Sequence, residues 1–549
     1  MTSGFFIATE PELFRRCGAA GGTDDVAEPR EGFPDHRYVR YWSVDGHIAS
    51  KRQIPVLLST AADGHCEVPL CDALLKSRLA KGCVKVEPLH RGQKMPNALR
   101  YLALVGWMFV PSAFAEEAGS RADGLRYWPQ WRGPLANGVA PRASPPVEWS
   151  ETKNIRWKIA LPGKGHSSPI VFADRVFLLA AAPVGEKQKP VFDSAPGVHD
   201  SVPVTHRHQY LVLAVNRSDG QVLWRKVVRE EWPHEGGHET GSPVSNSPVT
   251  DGELLYAFFG SRGLYCLDLD GAVKWQKDLG KMQTLHAHGE GSSPVLHGDT
   301  LIVNWDHEGD SSLSAFDKRT GRQLWRVARD EKTSWSTPLV VEHEGKPQVI
   351  VSATKRVRGY DLATGALLWE CAGLTDNVVS SPVFTRGTLI TGNSYYSQAM
   401  LAIRLAGAKG DISRTTNVAW TLNRLTPYVS SPLLYDDTLY FIRHNQNILS
   451  RLDPVTGKPR GEPLRLDGIR DFIFASPVGA AGRIYITGRD GATVVLRHDR
   501  ANTPLAVNRL DDSFSASAAL VDKELYLRGE RFLYCIAEGP PPKHEESPQ

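Results

Sequence analysis

Ala315-Phe316-Asp317-Lys318-Arg319-Thr320-Gly321-Arg322-Gln323-Leu324-Trp325 decides the fold. It reads as the end of one strand, a tight turn and the start of another. Asp317 can accept backbone N–H bonds from the turn that follows it, and Thr320 supports the same turn. Gly321 supplies the left-handed residue that leaves a short hairpin. Trp325 then stands on the outgoing strand, where its large face can pack on a neighbouring unit. Gly359–Trp369 repeats the pattern with Asp361, Thr364, Gly365 and Trp369. Ala214–Trp224 is close to it, and Cys266–Trp275 is one residue shorter.

A second recurring element precedes each of these turns. Ser168-Pro, Ser247-Pro, Ser293-Pro, Thr337-Pro, Ser381-Pro, Ser431-Pro, Ser476-Pro and the degenerate Ser517-Ala open eight segments. Their first residues are 79, 46, 44, 44, 50, 45 and 41 apart. Each opening leads into a short turn and an alternating strand such as Thr300–Asn304 or Thr438–Ile442. Four strands per period, eight times over, match radial repetition around a channel. No stretch of helical period supports a helical solenoid. The last repeat ends at Tyr534–Ala537 without its outer strand, and Asn154–Leu161 can supply it. Such closure pairs the first strand with the last and removes two exposed edges. The expected fold is all-β, an eight-bladed propeller of four-stranded antiparallel blades over residues 154–537.

The Ala-x-Asp-x-x-Thr-Gly-x-x-x-Trp repeat resembles the tryptophan-docking motif of the pyrroloquinoline-quinone (PQQ) type propeller family. That family includes quinoprotein dehydrogenases and the propeller lipoprotein of the outer-membrane β-barrel assembly machine. The motif is specific in repeats 1 to 4. It is partial in repeat 6, where Asp453-Pro-Val-Thr456-Gly457 has no Trp, and eroded in 5, 7 and 8. Tyr127-Trp-Pro-Gln-Trp-Arg-Gly-Pro134 resembles the lead-in of secreted bacterial members. The large quinoprotein dehydrogenases would imply an adjacent Cys-Cys pair, a calcium held by Glu, Asn and Asp, and an Asp base. This chain has no Cys-Cys, and the other groups cannot be matched position by position. PQQ is therefore a possible cofactor without a matched site.

Composition is that of an ordinary soluble protein, with 23% charged residues and a net charge of +3. No general basic field would attract nucleic acid. The three cysteines after Met95, namely Cys266, Cys371 and Cys535, are far apart and read as buried thiols. Residues 1–94 carry neither period nor repeat. Met95-Pro-Asn-Ala-Leu-Arg100, the apolar run 101–110 and Ala113-x-Ala115 have the parts of a secretory signal. The expectation is that 1–94 are upstream over-translation or a disordered extension and 95–115 a signal peptide. Then follow a lead-in at 116–153 and, after the propeller, a disordered tail at 538–549.

Propeller topology puts the approaches to the inner strands and the loops between second and third strands on one face, the top. Ten of the fourteen histidines after Met95 fall there. The expected ligand or partner funnel comprises His166, His238, Glu239, His286, His288, Glu290, Trp335, Tyr428 and Phe474. Histidine, carboxylate and aromatic groups together suit a planar or polar ligand. The 183–208 insertion in repeat 1 reads as a lid or partner-recognition arm. None of the His and carboxylate pairs has the spacing of a known metal site. The expected function is an exported, non-enzymatic binding or assembly scaffold of the periplasm or cell envelope. It would be a monomer with a protein or envelope partner and no membrane-spanning segment in the mature chain. Two other functions fit the same residues: a periplasmic PQQ-dependent oxidoreductase, and a carbohydrate- or peptide-binding module.

Overall fold

The computed structural model describes residues 124–193 and 197–539. The expectations for residues 1–94 and 95–115, and for the tail from residue 540, lie outside them. The described residues form eight antiparallel blades. Blade 1 runs Ile170–Phe172, Arg175–Val184, Arg207–Asn216 and Val222–Glu231, and the other blades follow the same inner-to-outer order. Blade 8 takes three strands from the C-terminal end and its outer strand, Ile155–Ala160, from the N-terminal side. Ile155–Ala160 pairs antiparallel with Phe532–Ala537, as the repeat pattern requires. Blade 4 carries an extra piece: Gly410–Asp411 adds in parallel to the outer strand Leu367–Cys371.

Between blades the tryptophans work as read, with one exception. The indole N–H of Trp224 donates to the Leu269 carbonyl of the next blade's turn, that of Trp275 to Lys318, and that of Trp325 to Leu362. Each ring lies flat on the glycine of the turn it meets. A Cβ at Gly271, Gly321 or Gly365 would come within 2.7–2.8 Å of the ring. Asp317 and Asp361 each accept the N–H and hydroxyl of the Thr three residues on, which sets the turn geometry. Trp369 differs. It is fully buried, yet its N–H donates to Gln348 of its own blade and its ring covers Gly359. The reason is that blade 5 has no Asp–Thr–Gly turn to receive it. Two tryptophans outside the complete motifs also dock: Trp157 of the closing strand on Arg217 and Gly220, and Trp420 of blade 5 on Pro454 and Gly457.

Around the axis, the Ser-Pro openings have a structural purpose of their own. The backbone N–H of each opening residue donates to the side-chain hydroxyl of the next: Ser168 to Ser247, then Ser293, Thr337, Ser381, Ser431, Ser476, Ser517 and back to Ser168. The eight bonds are 2.9–3.0 Å long. This closed ring explains why even the degenerate eighth opening keeps Ser517 while losing its proline. A small hydroxyl residue caps the otherwise orphaned N–H of its neighbour.

The lead-in crosses the opposite end of the channel. Trp128 exchanges two backbone hydrogen bonds with Val171 of blade 1, Pro129 accepts from Thr250 of blade 2, and Gly138 and Ala140 bond to Gly479 of blade 7. Arg132 is buried, with its guanidinium on the carbonyls of Pro477, Pro432 and Asn137. Burial pushes this guanidinium down to about 9. Val139 and Trp149 enter the hydrophobic clusters of the last blades. The segment expected to be a simple lead-in is thus an integral plug. No helix among the described residues is long and apolar enough to cross a membrane.

Candidate functional site

With its lower end plugged, the channel presents a cavity of about 440 Å³ at the top face. Its walls come from approach segments, one blade after another. His166 precedes blade 1, His238 and Glu239 precede blade 2, and His288 and Glu290 precede blade 3. Trp335, Tyr428 and Phe474 precede blades 4, 6 and 7. These eight residues share one cavity because each lies in the segment that leads to an axial Ser or Thr, from two residues before it (His166, Trp335, Phe474) to nine (His238). His286, the ninth expected member, does not line it. It sits behind, with its ring 4.4 Å from that of His199 and 5.3 Å from that of His288. Its backbone is left-handed, at φ 57°, which turns the side chain away.

Beyond the expected eight, the lining includes Trp131, Asp200, Tyr395 and His199, the last being one of the ten top-face histidines. Trp131 of the lead-in lines both this cavity and a second one of about 290 Å³, and Thr337 is shared by the two as well. Asp200 and His199 come from the blade 1 insertion. That insertion does not hang free: Ser201–Val202 pairs with Gly237–His238, and Ser201 Oγ donates to the His286 carbonyl. Tyr395, from the blade 5 loop, stacks on Tyr428 with centroids 5.6 Å apart, and Tyr428 stacks in turn on His444. Only the unusual insertion length and the adjacent tyrosines could have pointed to these groups.

Across from that stack, Phe472 and Phe474 lie nearly parallel, 6.0 Å apart. The Trp335 indole is held by a bond from its N–H to the Gly289 carbonyl, 2.6 Å. His166, His238 and His288 are held toward the neutral form. Burial, with Arg528 and Arg489 nearby, pushes His166 down to about 3. Burial, assisted by the three neighbouring imidazoles, pushes His288 down to about 4, although its N–H donates to the His199 carbonyl. His238 is lowered by burial, and its Nδ1 accepts from both the N–H and the hydroxyl of Thr240. Glu290 accepts the N–H and hydroxyl of Ser261 and pairs with the Arg262 guanidinium. Among the described residues no three His, Cys, Asp or Glu side chains converge as a metal-ligand set. The buried thiols of Cys266 and Cys535 are pushed up to about 12, and that of Cys371 to about 11.

The family model described as outer membrane protein assembly factor BamB, a PQQ-repeat model, matches residues 208–460. The propeller is of the PQQ-like type. Outer membrane protein assembly factor BamB of Shewanella oneidensis is 22% identical to this PQQ-like propeller over 298 residues, covering 52% of this chain and 66% of that protein. The same-named protein of Yersinia pestis is 26% identical over 183 residues, covering 31% of this chain and 42% of that protein. The chain therefore spans less than two thirds of the length of these curated relatives. Among solved structures, quinohemoprotein alcohol dehydrogenase from Comamonas testosteroni matches at TM-score 0.50 and 10% identity, over 79% of this chain and 84% of that one. BamB from Moraxella catarrhalis matches at TM-score 0.43 and 12% identity, over 65% of this chain and 98% of that one. The Comamonas testosteroni structure shares the fold.

The cavity does not fit PQQ. That quinone is a tricarboxylate, and a site for it needs cationic donors. The residues around this PQQ-like propeller's cavity include Asp200, Glu239 and Glu290 and neither Lys nor Arg.

Proposed function

We propose that the chain is an exported, non-enzymatic propeller that holds a ligand or partner segment in its top-face funnel, as a binding or assembly scaffold of the bacterial cell envelope. The observation that carries this reading is the one-ended channel. Trp131 and the lead-in close it below, while aromatic, histidine and carboxylate groups from eight different segments converge above. Water-excluding walls with a few placed polar groups are what a binding site needs. The names of the curated relatives, assembly factors of the outer membrane, support an envelope role, and Met95–Ala115 supports export. N-terminal sequencing of exported protein should begin at or near Glu116.

The test is capture of partners from envelope extract by the chain and by a Trp335→Ala/His288→Ala double variant. Loss of capture by the double variant supports the funnel. Arg319 and Arg322 on the opposite face are the control, since both are exposed. Lys318 is not a fair control: it pairs with Asp251 and Asp299, and its carbonyl receives Trp275. Capture lost only with Arg319→Ala/Arg322→Ala would move the functional surface to the opposite face. A carbohydrate- or peptide-binding module is the second reading, favoured by the stacked Tyr395–Tyr428 and Phe472–Phe474 pairs. Glycan and peptide arrays separate it from the first.

A further inference from the structure

The charge pattern of the top-face cavity is not required by the fold. Of its three carboxylates, Glu290 is already neutralised by Arg262. Asp200 and Glu239 are not. They lie side by side at the mouth, joined by a 2.7 Å bond from the Glu239 N–H to the Asp200 carbonyl, and both are exposed. Among the described residues neither carboxylate has an ion-pair partner. No Lys or Arg of the described residues is in the lining. The Arg489 guanidinium lies 5.1 Å from the Phe474 ring centroid, and that of Arg528 is turned to the carbonyls of Ser167 and Leu179.

Deeper in, the cavity reaches the axial ring. Ser168, Ser293, Thr337, Ser476 and Ser517 line it, each more than nine-tenths buried. Each hydroxyl oxygen accepts one backbone N–H and keeps a second lone pair. Among the described residues none of these hydroxyls has any other partner. The sides between mouth and floor are the faces of Trp335, Tyr428 and Phe474.

We propose that this cavity binds an organic cation with N–H donors and an apolar body: an ammonium or guanidinium group, presented by a free amine or by a Lys or Arg side chain of a peptide. The inference rests on the reading of the funnel as the binding face and names its ligand class. Aromatic faces attract a desolvated cation. Two unpaired carboxylates at the mouth give the field that steers it inward. The free lone pairs of the ring oxygens can accept its N–H groups. An anion would meet those carboxylates at the mouth and, with His166 and His288 neutral, no cationic side chain in the lining itself to offset its desolvation.

Titration calorimetry of the full chain near neutral pH tests this with named probes: argininamide, the blocked peptide acetyl-Gly-Arg-Gly-amide, and phenylacetate as an anion with an aromatic body. Both cations should bind and phenylacetate should not. Asp200→Asn/Glu239→Gln should weaken cation binding about tenfold or more, and added salt should weaken it further. Because both carboxylates are exposed and unpaired, that variant should fold with the parent's melting temperature. Tighter binding of the peptide than of argininamide identifies a peptide side chain as the source, and the reverse a free amine. Phenylacetate binding as well as the cations, or cation binding indifferent to the double variant, overturns the proposal. Failure of both cations to bind overturns it as well. Partner capture by the Trp335→Ala/His288→Ala variant then reports separately on whether the funnel is the docking face.

Discussion

The backbone N–H of Ser517 donates to the hydroxyl of Ser168 at 2.9 Å, across 349 residues of chain, and this bond closes the axial ring. Closure therefore has two independent fasteners: the Ile155–Ala160 strand at the periphery and one side-chain hydroxyl at the centre. Ser168→Ala leaves a buried N–H without its acceptor, which costs about 1–3 kcal/mol. Ser168→Thr keeps the hydroxyl, as Thr337 does at its own position, and should recover most of that loss. Urea unfolding of the two variants decides. An Ala variant as stable as the parent would mean that the ring is incidental.

The docking of Trp325 on Gly365 can be separated from simple turn strain. Gly365 and Gly345 share the same left-handed φ of 73°, but a Cβ on Gly365 would lie 2.7 Å from the Trp325 ring, whereas nothing lies within 4 Å at Gly345. Gly345→Ala should cost only the backbone term, about 1–2 kcal/mol. Gly365→Ala should cost about 1–3 kcal/mol more, because the indole must move. Trp325→Ala and Trp369→Ala should each lose about 3–5 kcal/mol. Thermal unfolding that ranks the two glycine variants equally would refute the docking role.

Arg132 tests the plug. It is a buried cation bonded only to neutral carbonyls from two blades and its own segment. Arg132→Met fills similar space and removes the charge, but orphans those oxygens. With charge-assisted bonds worth about 1.5–3 kcal/mol each, a net loss of at least about 2 kcal/mol is expected. If the variant is as stable as the parent, the lead-in is not an integral part of the channel.

Acid should weaken the top face first. His166 and His288 are depressed to about 3 and about 4, from an ordinary value of 6.5. Between pH 6.5 and 4 the unfolded chain binds protons that the folded chain refuses, so stability falls as pH falls through that window. Above pH 6.5 both states are neutral and these groups contribute no slope. The urea midpoint should drop from pH 7 to pH 5, and the drop should be shallower in His288→Gln. An identical pH profile in that variant would show that the imidazole is hydrated in solution.

What the chain order determined by itself was everything local. Asp317, Thr320 and Gly321 are consecutive enough to build their turn without help, and the alternating strands that follow each Ser-Pro opening need no distant partner to be recognised. Eight such openings, 41–50 residues apart after the first interval of 79, then required a ring, and the missing outer strand at Ala537 named Asn154–Leu161 as its replacement. The tertiary structure decided what depends on position around the axis. Trp369 carries the same motif as Trp325, yet turns to Gln348 because its neighbouring blade lacks the receiving turn. His286 and His288 are two residues apart, and only His288 reaches the cavity. Trp131 and Asp200 gave no periodic signal, since they belong to the plug and the insertion, whose paths are set by the blades they meet. The cavity's charge was equally invisible along the chain. Lysines and arginines are plentiful in it, and only radial folding shows that none of them lines the funnel, where short segments from different blades meet and sequence distance no longer matters.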